Sequence, residues 1–198
     1  YDITTRLVGS EMCIRDRPGC EGQKATVEVY SDAEFVALYC NDKPVGKKRT
    51  KKFRAIFKLP YRPGTLKAVA LDKSGNALGE TTLQTAGQKT RLHLSPEKTT
   101  LRADGQSLCF IPITLTDAAG IWKPCANAKF HLEIEGPAVL QALGSAATQT
   151  DETYLGSSHT TWLGRALAVI RAGTEPGKVR VTVTAEGYEP QYVDLTVE

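Results

Sequence analysis

The sequence predicts an all-β protein made of two consecutive β-sandwich domains. Apolar and polar residues alternate with period two through most of the chain after residue 17, and turn residues interrupt this alternation about every 8 to 12 positions. No stretch shows the apolar stripe of an amphipathic helix or a capping box. The length of 198 residues allows one large domain or two small ones, and a change of pattern near Thr85–Lys89 favours two.

The first predicted domain covers residues 18–86 and holds about six strands, close to the lower size limit of a self-supporting domain. Turns are predicted at Asn41-Asp42, Pro63-Gly64 and Ser74–Asn76. The residues expected to point inward are Val27, Val29, Val36, Leu38, Cys40, Phe53, Ala55, Phe57, Leu59, Leu66, Ala68 and Ala70.

The second predicted domain covers residues 87–198. Its strongest signals are a long strand over Leu108–Thr116 and a strand in which Phe130, Leu132 and Ile134 oppose His131, Glu133 and Glu135. Further strands are predicted where apolar residues recur at every second position. These residues are Leu167 and Val169, then Val179, Val181 and Val183, and finally Val193, Leu195 and Val197. His93 is expected on the face opposite Leu92 and Leu94.

Residues 1–17 are interpreted as a non-native tail and excluded from the fold prediction. The stretch Leu7–Arg17 closely resembles translated sequencing-adaptor read-through, a contaminant of assembled metagenomic genes, and it lacks strand or helix periodicity. The alternative is a native disordered tail. Nothing near Tyr1 reads as a signal peptide, so a signal for export would lie upstream.

Composition argues against several partners. The net charge is only +3, which by itself implies neither nucleic acid nor membrane as a partner. The sequence has no run of about 18 apolar residues, so no membrane span is predicted. The cysteines after the tail form no CxxC pair, which leaves zinc ribbons and redox motifs without support. Cys109, in phase with Ile111 and Ile113, is predicted to be a buried inert thiol, with a disulfide as the alternative.

Several segments resemble a known family. Val27–Leu38, with Asn41, Lys43 and Gly46, resembles the first of two C-terminal domains in bacterial family 2 glycoside hydrolases, chiefly β-galactosidases. The second domain is similar to the one that follows in those enzymes, and the segments that carry this similarity are Leu94–Pro96, Ala103–Gly105, Glu135–Pro137 and Gly164–Val169. Pieces around Ala103–Gly105 also occur in adhesin repeats.

The resemblance implies two immunoglobulin-like sandwiches attached to a larger bacterial enzyme, periplasmic or extracellular, that hydrolyses β-galactosides with retention. Such enzymes place two carboxylates on a (β/α)₈ barrel. No residue of this sequence matches the barrel motifs, so none is assigned as catalytic. The implied partners are the catalytic and other domains of the same parent chain.

The polar residues suggest no catalytic, cofactor or metal site. Glu133 and Glu135 share a strand face that is expected to be exposed, and His93, His131 and His159 lack metal-ligand spacing. A cationic run is interpreted as a solvated hairpin that protects an edge strand, with a polyanion site as the alternative. Its members are Lys43, Lys47, Lys48, Arg49, Lys51, Lys52, Arg54 and Lys58.

The segment Gly144–Gly164 is long and polar for a sandwich connection, and long connections are often functional. Its candidate contact residues are Tyr154, His159, Trp162, Asp151 and Glu152. Asp151 and Glu152 are expected to be solvated. Aromatic rings beside carboxylates suit either carbohydrate or docking on a neighbouring domain.

The sequence therefore predicts a non-catalytic accessory fragment of a β-galactosidase-like enzyme, which packs against the catalytic barrel and shapes it. Two alternatives remain open. One is a tandem segment of a bacterial surface adhesin, and the other is a free-standing carbohydrate-binding module.

Overall fold

The computed structural model describes the backbone of residues 3–8 and all of residues 19–198. Every regular element in this part of the chain is a β-strand, which confirms the predicted fold class. The chain divides into two units, Tyr1–Thr85 and Ala86–Glu198. No helix in the described part has the length and apolarity that a membrane crossing needs.

Unit 1 is a sandwich of two antiparallel sheets. The first sheet has the order β1-β2-β5, and its strands are β1 (Ile3–Val8), β2 (Lys24–Ser31) and β5 (Arg54–Pro60). The second has the order β4-β3-β6-β7, and its strands are β3 (Phe35–Cys40), β4 (Lys43–Arg49), β6 (Thr65–Leu71) and β7 (Ala77–Gln84).

The core of unit 1 lies between these sheets and follows the predicted alternation. In β6, for example, Leu66, Ala68 and Ala70 are buried while Lys67 and Val69 are only partly so. The other buried members from the predicted set are Val27, Val29, Val36, Leu38, Ala55 and Phe57. Such alternation buries one side of each strand and leaves the other near solvent.

Phe53 is the exception, and its predicted inward orientation is wrong. Its side chain is 70% exposed, because Lys52 and Phe53 form the turn between β4 and β5, with φ angles of 50° and 61°. The pleat of β5 begins only at Arg54. A residue in the left-handed region does not continue the two-residue period of the strand that follows.

Strand β1 corrects a second expectation, that residues 1–17 contain no strand. It pairs antiparallel with β2 from Ile3↔Ser31 to Val8↔Thr26. A sheet edge offers unpaired N–H and C=O groups, so an extended segment can join it through main-chain hydrogen bonds without an alternating pattern of its own. The non-native origin of the tail stays a prediction.

Unit 2 is a larger sandwich. Its first sheet has the order β12-β14-β10-β8, and its strands are β8 (Arg91–Leu94), β10 (Leu108–Thr116), β12 (Ala138–Gly144) and β14 (Arg165–Ala172). Its second sheet has the order β13-β11-β15-β16-β9, and its strands are β9 (Thr100–Leu101), β11 (Lys129–Glu135), β13 (Ser158–Thr160), β15 (Gly177–Ala185) and β16 (Gln191–Val197). Only β9 and β16 pair in parallel among the described strands.

The core of unit 2 confirms the predicted faces. Ile111, Ile113 and Leu115 of β10 are fully buried, as are Val179, Val181 and Val183 of β15. Together with Cys109 they form part of one apolar cluster. Cys109 is a free thiol, as predicted, and burial raises its pKa. A raised pKa keeps the sulfur protonated and unreactive.

Asp117 fixes the turn after β10. Its carboxylate accepts hydrogen bonds from the N–H groups of Gly87, Ala119 and Ile121 at 2.7, 2.9 and 2.8 Å. Burial opposes the charged form, but these hydrogen bonds outweigh it and lower the pKa of Asp117. The turn is therefore tied to the start of unit 2.

Candidate functional site

The segment Gly144–Gly164 leaves one sheet of unit 2, forms an edge strand of the other sheet and returns. It follows β12, the edge of the first sheet, forms β13 at the edge of the second, and leads back into β14. β13 pairs with β11, with Phe130 opposite His159. The segment thus closes one side of the sandwich and places its side chains next to β12 and β14.

His159 is fully buried under this segment. Its Nδ1 lies 3.0 Å from the Thr160 carbonyl oxygen and 3.2 Å from Glu152 Oε2. Both neighbours are acceptors, so Nδ1 is assigned the proton. The other ring nitrogen, Nε2, is buried without a hydrogen-bond partner among the described residues. His159 is therefore a structural residue beneath the surface and is not placed to contact a ligand directly.

Glu152 is held by β13, contrary to the expectation that it is solvated. Its carboxylate accepts hydrogen bonds from the Thr160 N–H at 2.9 Å and from the Thr160 hydroxyl at 2.8 Å. Burial opposes the charged form of Glu152, but the hydrogen bonds from Thr160 outweigh it and lower the pKa of the carboxyl below its ordinary value. Asp151, its neighbour, is exposed as predicted.

Tyr154 connects this buried cluster to the surface. Its ring is half exposed and stacks on the imidazole of His159, with centroids 5.8 Å apart and planes inclined by 27°. The ring also covers Gly144, where a Cβ would overlap it. Gly144 therefore provides the space in which the aromatic ring lies.

Trp162 is 39% exposed and stands at a tight hairpin turn. Its N–H and carbonyl exchange hydrogen bonds with Arg165 at 2.8 and 3.0 Å, while Leu163 and Gly164 at the tip have φ angles of 50° and 68°. Two residues at positive φ are typical of a type I′ turn. This turn places the backbone of Trp162 opposite Arg165, the first residue of β14.

Trp122 is an aromatic residue of this region that the sequence analysis missed. Its Nε1 donates to the Leu163 carbonyl at 2.9 Å, and the guanidinium of Arg165 lies 3.7 Å above its ring centroid. A guanidinium over an indole is a cation–π contact. Trp122 therefore supports the turn that carries Trp162 and holds the cationic end of β14 in place.

The outward face of β10, β14 and β12 is apolar at its centre. Phe110 pairs with Val169 and Pro112 with Leu167 across β10 and β14, and Leu167 is 40% exposed. We define the outer apolar face as Phe110, Pro112, Ala142, Leu167 and Val169. A groove of about 420 Å³ opens on it, bordered by Tyr154 and Arg165.

The sequence also carries a signal for this face. Ala166–Ile170 is apolar at every position, and a continuous apolar run is typical of a strand covered on both faces. In unit 2 the inward residues Ala166, Ala168 and Ile170 are buried, while Leu167 remains exposed.

The remaining polar candidates lie apart. Glu133 and Glu135 are exposed, as predicted, and so is His93 on β8. His131 contacts Ser158 at 3.0 Å and Glu133 at 3.5 Å. Within residues 19–198, no group of three His, Cys, Asp or Glu side chains could hold a metal ion.

Comparison with family models gives two matches. The glycoside hydrolase family 2 C-terminal domain 5 matches residues 92–194, more than half of the chain. A domain of unknown function, DUF4982, matches residues 22–79.

Relatives and solved structures agree. The chain is 28% identical over 171 residues to the β-galactosidase BoGH2A of Bacteroides ovatus, covering 85% of this chain and 20% of that protein. It is 28% identical over 184 residues to a β-glucuronidase of Formosa agariphila, covering 89% and 18%. A crystal structure of a glycosyl hydrolase family 2 member from Bacteroides cellulosilyticus matches 99% of this chain and 28% of its own, with 29% identity and a TM-score of 0.92.

The chain thus spans about a fifth of the length of the curated relatives it matches. These matches confirm the resemblance found in the sequence and locate it in the C-terminal part of such enzymes. The chain belongs to the C-terminal domain family of the family 2 glycoside hydrolases.

Proposed function

We propose that this chain is the non-catalytic C-terminal accessory portion of a β-galactosidase-type enzyme, and that unit 2 packs on other domains of the parent chain through the outer apolar face. The observation that carries the proposal is this face itself. Contiguous apolar patches on soluble proteins usually mark contact surfaces.

The composition of the face suits a domain contact. The outward residues of β14 pass from Arg165 through Leu167 and Val169 to Arg171, so a cation flanks each end of the apolar centre. Arg171 is already bound to Gln141 and to the Gly105 carbonyl at 2.8 and 2.7 Å. A partner surface with an apolar centre and a carboxylate opposite Arg165 would complement it.

The aromatic residues at the border extend this surface. The ring of Tyr154 is held by its stacking on His159 and lies over Gly144, so little conformational freedom is lost when a partner covers it. Trp162 adds a second partly exposed aromatic side chain. Large aromatics with fixed positions are frequent energetic centres of interfaces. We therefore expect Tyr154 and Trp162 to contact another domain of the parent chain.

The environments of the carboxylates support a non-catalytic role. A retaining glycosidase needs two carboxyl groups about 5 Å apart in a cleft, one of them protonated at neutral pH. Glu152 has a lowered pKa and is occupied by Thr160. In the groove near Glu135, Asp194 binds Arg180 through both oxygens at 2.8 and 3.1 Å, and the guanidinium lowers the pKa of that carboxyl.

Activity can be tested directly on the purified chain. We expect no hydrolysis of a chromogenic β-galactoside above a buffer blank. Turnover that disappears when Glu135, Glu152 or Asp194 is changed to the corresponding amide would refute the non-catalytic assignment.

Docking is tested in the full-length parent enzyme. Leu167→Asp should lower its Tm or activity while the isolated chain keeps its stability, because a charge on this face opposes only the contact. Tyr192→Asp is the matched control, since Tyr192 is 61% exposed on the other sheet of unit 2. Equal effects of both changes, or none from Leu167→Asp, would contradict the proposal.

Titration with neutral galactan addresses the carbohydrate-binding alternative. We expect no binding that depends on Tyr154 or Trp162.

We also propose a periplasmic or extracellular location in a bacterium, which fractionation of cells that express the full gene would test.

A further inference from the structure

The turn between β4 and β5 of unit 1 presents an aromatic ring among cations. Lys51 and Arg54 exchange backbone hydrogen bonds at 2.8 and 3.1 Å, which leaves Lys52 and Phe53 as the two residues of the turn. We name Lys47, Lys51, Lys52 and Phe53 the cationic tip.

The backbone of this turn is unfavourable for its sequence. Lys52 and Phe53 have φ angles of 50° and 61°, and two-residue hairpin turns with positive φ strongly prefer Asn-Gly. A bulky side chain in the left-handed region is uncommon because its Cβ crowds the backbone. The strain is not offset by burial, since the Phe53 ring is 70% exposed. Strain of this kind is often retained where it serves a function.

The edge strands β4 and β5 approach each other next to this turn. Lys48 of β4 donates from Nζ to the Ile56 carbonyl of β5 at 2.6 Å, so side chains of one strand reach the other. Arg49 and Arg54 are paired with Glu34 and Glu28 at 3.0 and 3.2 Å.

The lysines of the cationic tip are exposed, and none has an ion-pair partner among the described residues. Lys47 also lies 4.8 Å from the ring centroid of Phe35. The net charge of the whole chain is only +3. The lysines of the cationic tip are therefore a local concentration of positive charge. Its field favours anions near the tip.

We propose that the cationic tip binds an acidic polysaccharide, one that carries carboxylate or sulfate groups. The ring of Phe53 would lie against the apolar C–H face of a sugar ring, and the surrounding ammonium groups would meet its anions. Protection of the β4 edge alone explains the lysines, but it does not explain an exposed Phe held in the left-handed region.

A glycan is favoured over nucleic acid for two reasons. Single-stranded nucleic acids usually stack successive bases on several aromatic side chains, whereas the cationic tip has one exposed ring. The chain also belongs to the C-terminal domain family of the family 2 glycoside hydrolases. The proposal concerns unit 1 and does not depend on the docking proposed for unit 2.

The test measures binding of the whole chain to polygalacturonate, which carries carboxylates, and to a sulfated galactan, with neutral galactan as the uncharged control. We compare Phe53→Asn, the triple change Lys47→Gln, Lys51→Gln and Lys52→Gln, and a matched triple change in unit 2. The matched change uses the exposed residues Lys89, Lys98 and Lys178.

We expect binding to at least one acidic glycan and weaker binding at higher salt. The triple change in the tip should weaken binding roughly tenfold, since each exposed ion pair contributes only a small part, and the matched change should have little effect. Phe53→Asn should raise the Tm, because Asn tolerates the left-handed region, while it weakens glycan binding.

Three outcomes would overturn the proposal. One is no binding to either acidic glycan at low salt. Another is equal loss of binding in the two triple variants. The third is binding of single-stranded DNA with the same affinity and no effect of Phe53→Asn, which would mean that the tip attracts polyanions without recognising a sugar.

Discussion

Tyr154 stacks on His159 with ring centroids 5.8 Å apart, and it thereby joins an exposed ring to a fully buried one. The imidazole is in turn held by the Thr160 carbonyl and by Glu152. The surface of this segment is therefore fixed from below by a polar cluster. A fixed aromatic surface loses little entropy on contact with a partner, which favours its use as an interface.

The stability of unit 2 should decrease in acid, in part because of Glu152. A carboxyl whose pKa is lowered by folding stabilises the protein above its unfolded pKa, here an ordinary value of 4.5, and this contribution is lost as the pH falls through the folded pKa. Glu152→Gln should lower stability at neutral pH and reduce the acid-dependent loss. Chemical denaturation of both proteins at about pH 7 and about pH 3 measures this.

Asp117 provides a comparison, since its pKa is also lowered. Asp117→Asn should also reduce the loss of stability in acid. Its effect should add to that of Glu152→Gln, because the two carboxyl groups have different hydrogen-bond partners. If Glu152→Gln leaves the pH profile of stability unchanged, the hydrogen bonds from Thr160 do not favour the charged carboxylate.

Gly144→Ala should destabilise unit 2, because the added Cβ would overlap the ring of Tyr154. Overpacking of this kind costs about 1–3 kcal/mol. In a Tyr154→Ala background the same change should cost much less, and a double-mutant cycle measures the difference. Equal costs in both backgrounds would mean that Tyr154 does not occupy this space.

Trp162→Ala should leave the isolated chain folded. Since the side chain is 39% exposed, we expect a loss of about 1 kcal/mol, well below the roughly 3–5 kcal/mol typical of a buried Trp. In the full-length enzyme the same change should weaken domain association or lower activity. Chemical denaturation of the isolated chain distinguishes a partly exposed indole from one in the core. A large loss of stability in the isolated Trp162→Ala chain would place the indole in the core.

Deletion of residues 1–8 should lower the Tm of unit 1 by roughly 4–8 °C, the shift that a loss of about 1 kcal/mol causes in a domain of this size. The reason is that β2 would lose its six paired residues on one side. The double change Thr4→Pro and Thr5→Pro should act in the same direction. The N–H groups of neighbouring residues in an edge strand point alternately to the partner strand and away from it, so one of the two prolines removes a donor from the ladder. An unchanged Tm in both variants would support the interpretation of this segment as a non-native tail.

The sequence determined most of the longer strands and which side of each of them is inward. In β10 and β15 the alternation identified the buried residues because one face of each strand packs on the opposite sheet. The same alternation predicted that Cys109 is buried, and in the structure it is a buried free thiol. It also placed Glu133 and Glu135 on an exposed face.

Only the tertiary structure decided which residues meet across the chain and which apolar faces remain uncovered. Phe53 fits the period of β5, yet the turn before that strand exposes it. Glu152 and His159 are seven positions apart in a polar segment, and their contact exists because β13 pairs with β11 and brings the segment over the core. Leu167 looks like a core residue in the wholly apolar run Ala166–Ile170 of β14, but unit 2 covers only one side of that strand. Periodicity records the direction in which a side chain points, whereas burial depends on long-range pairing and on what lies opposite.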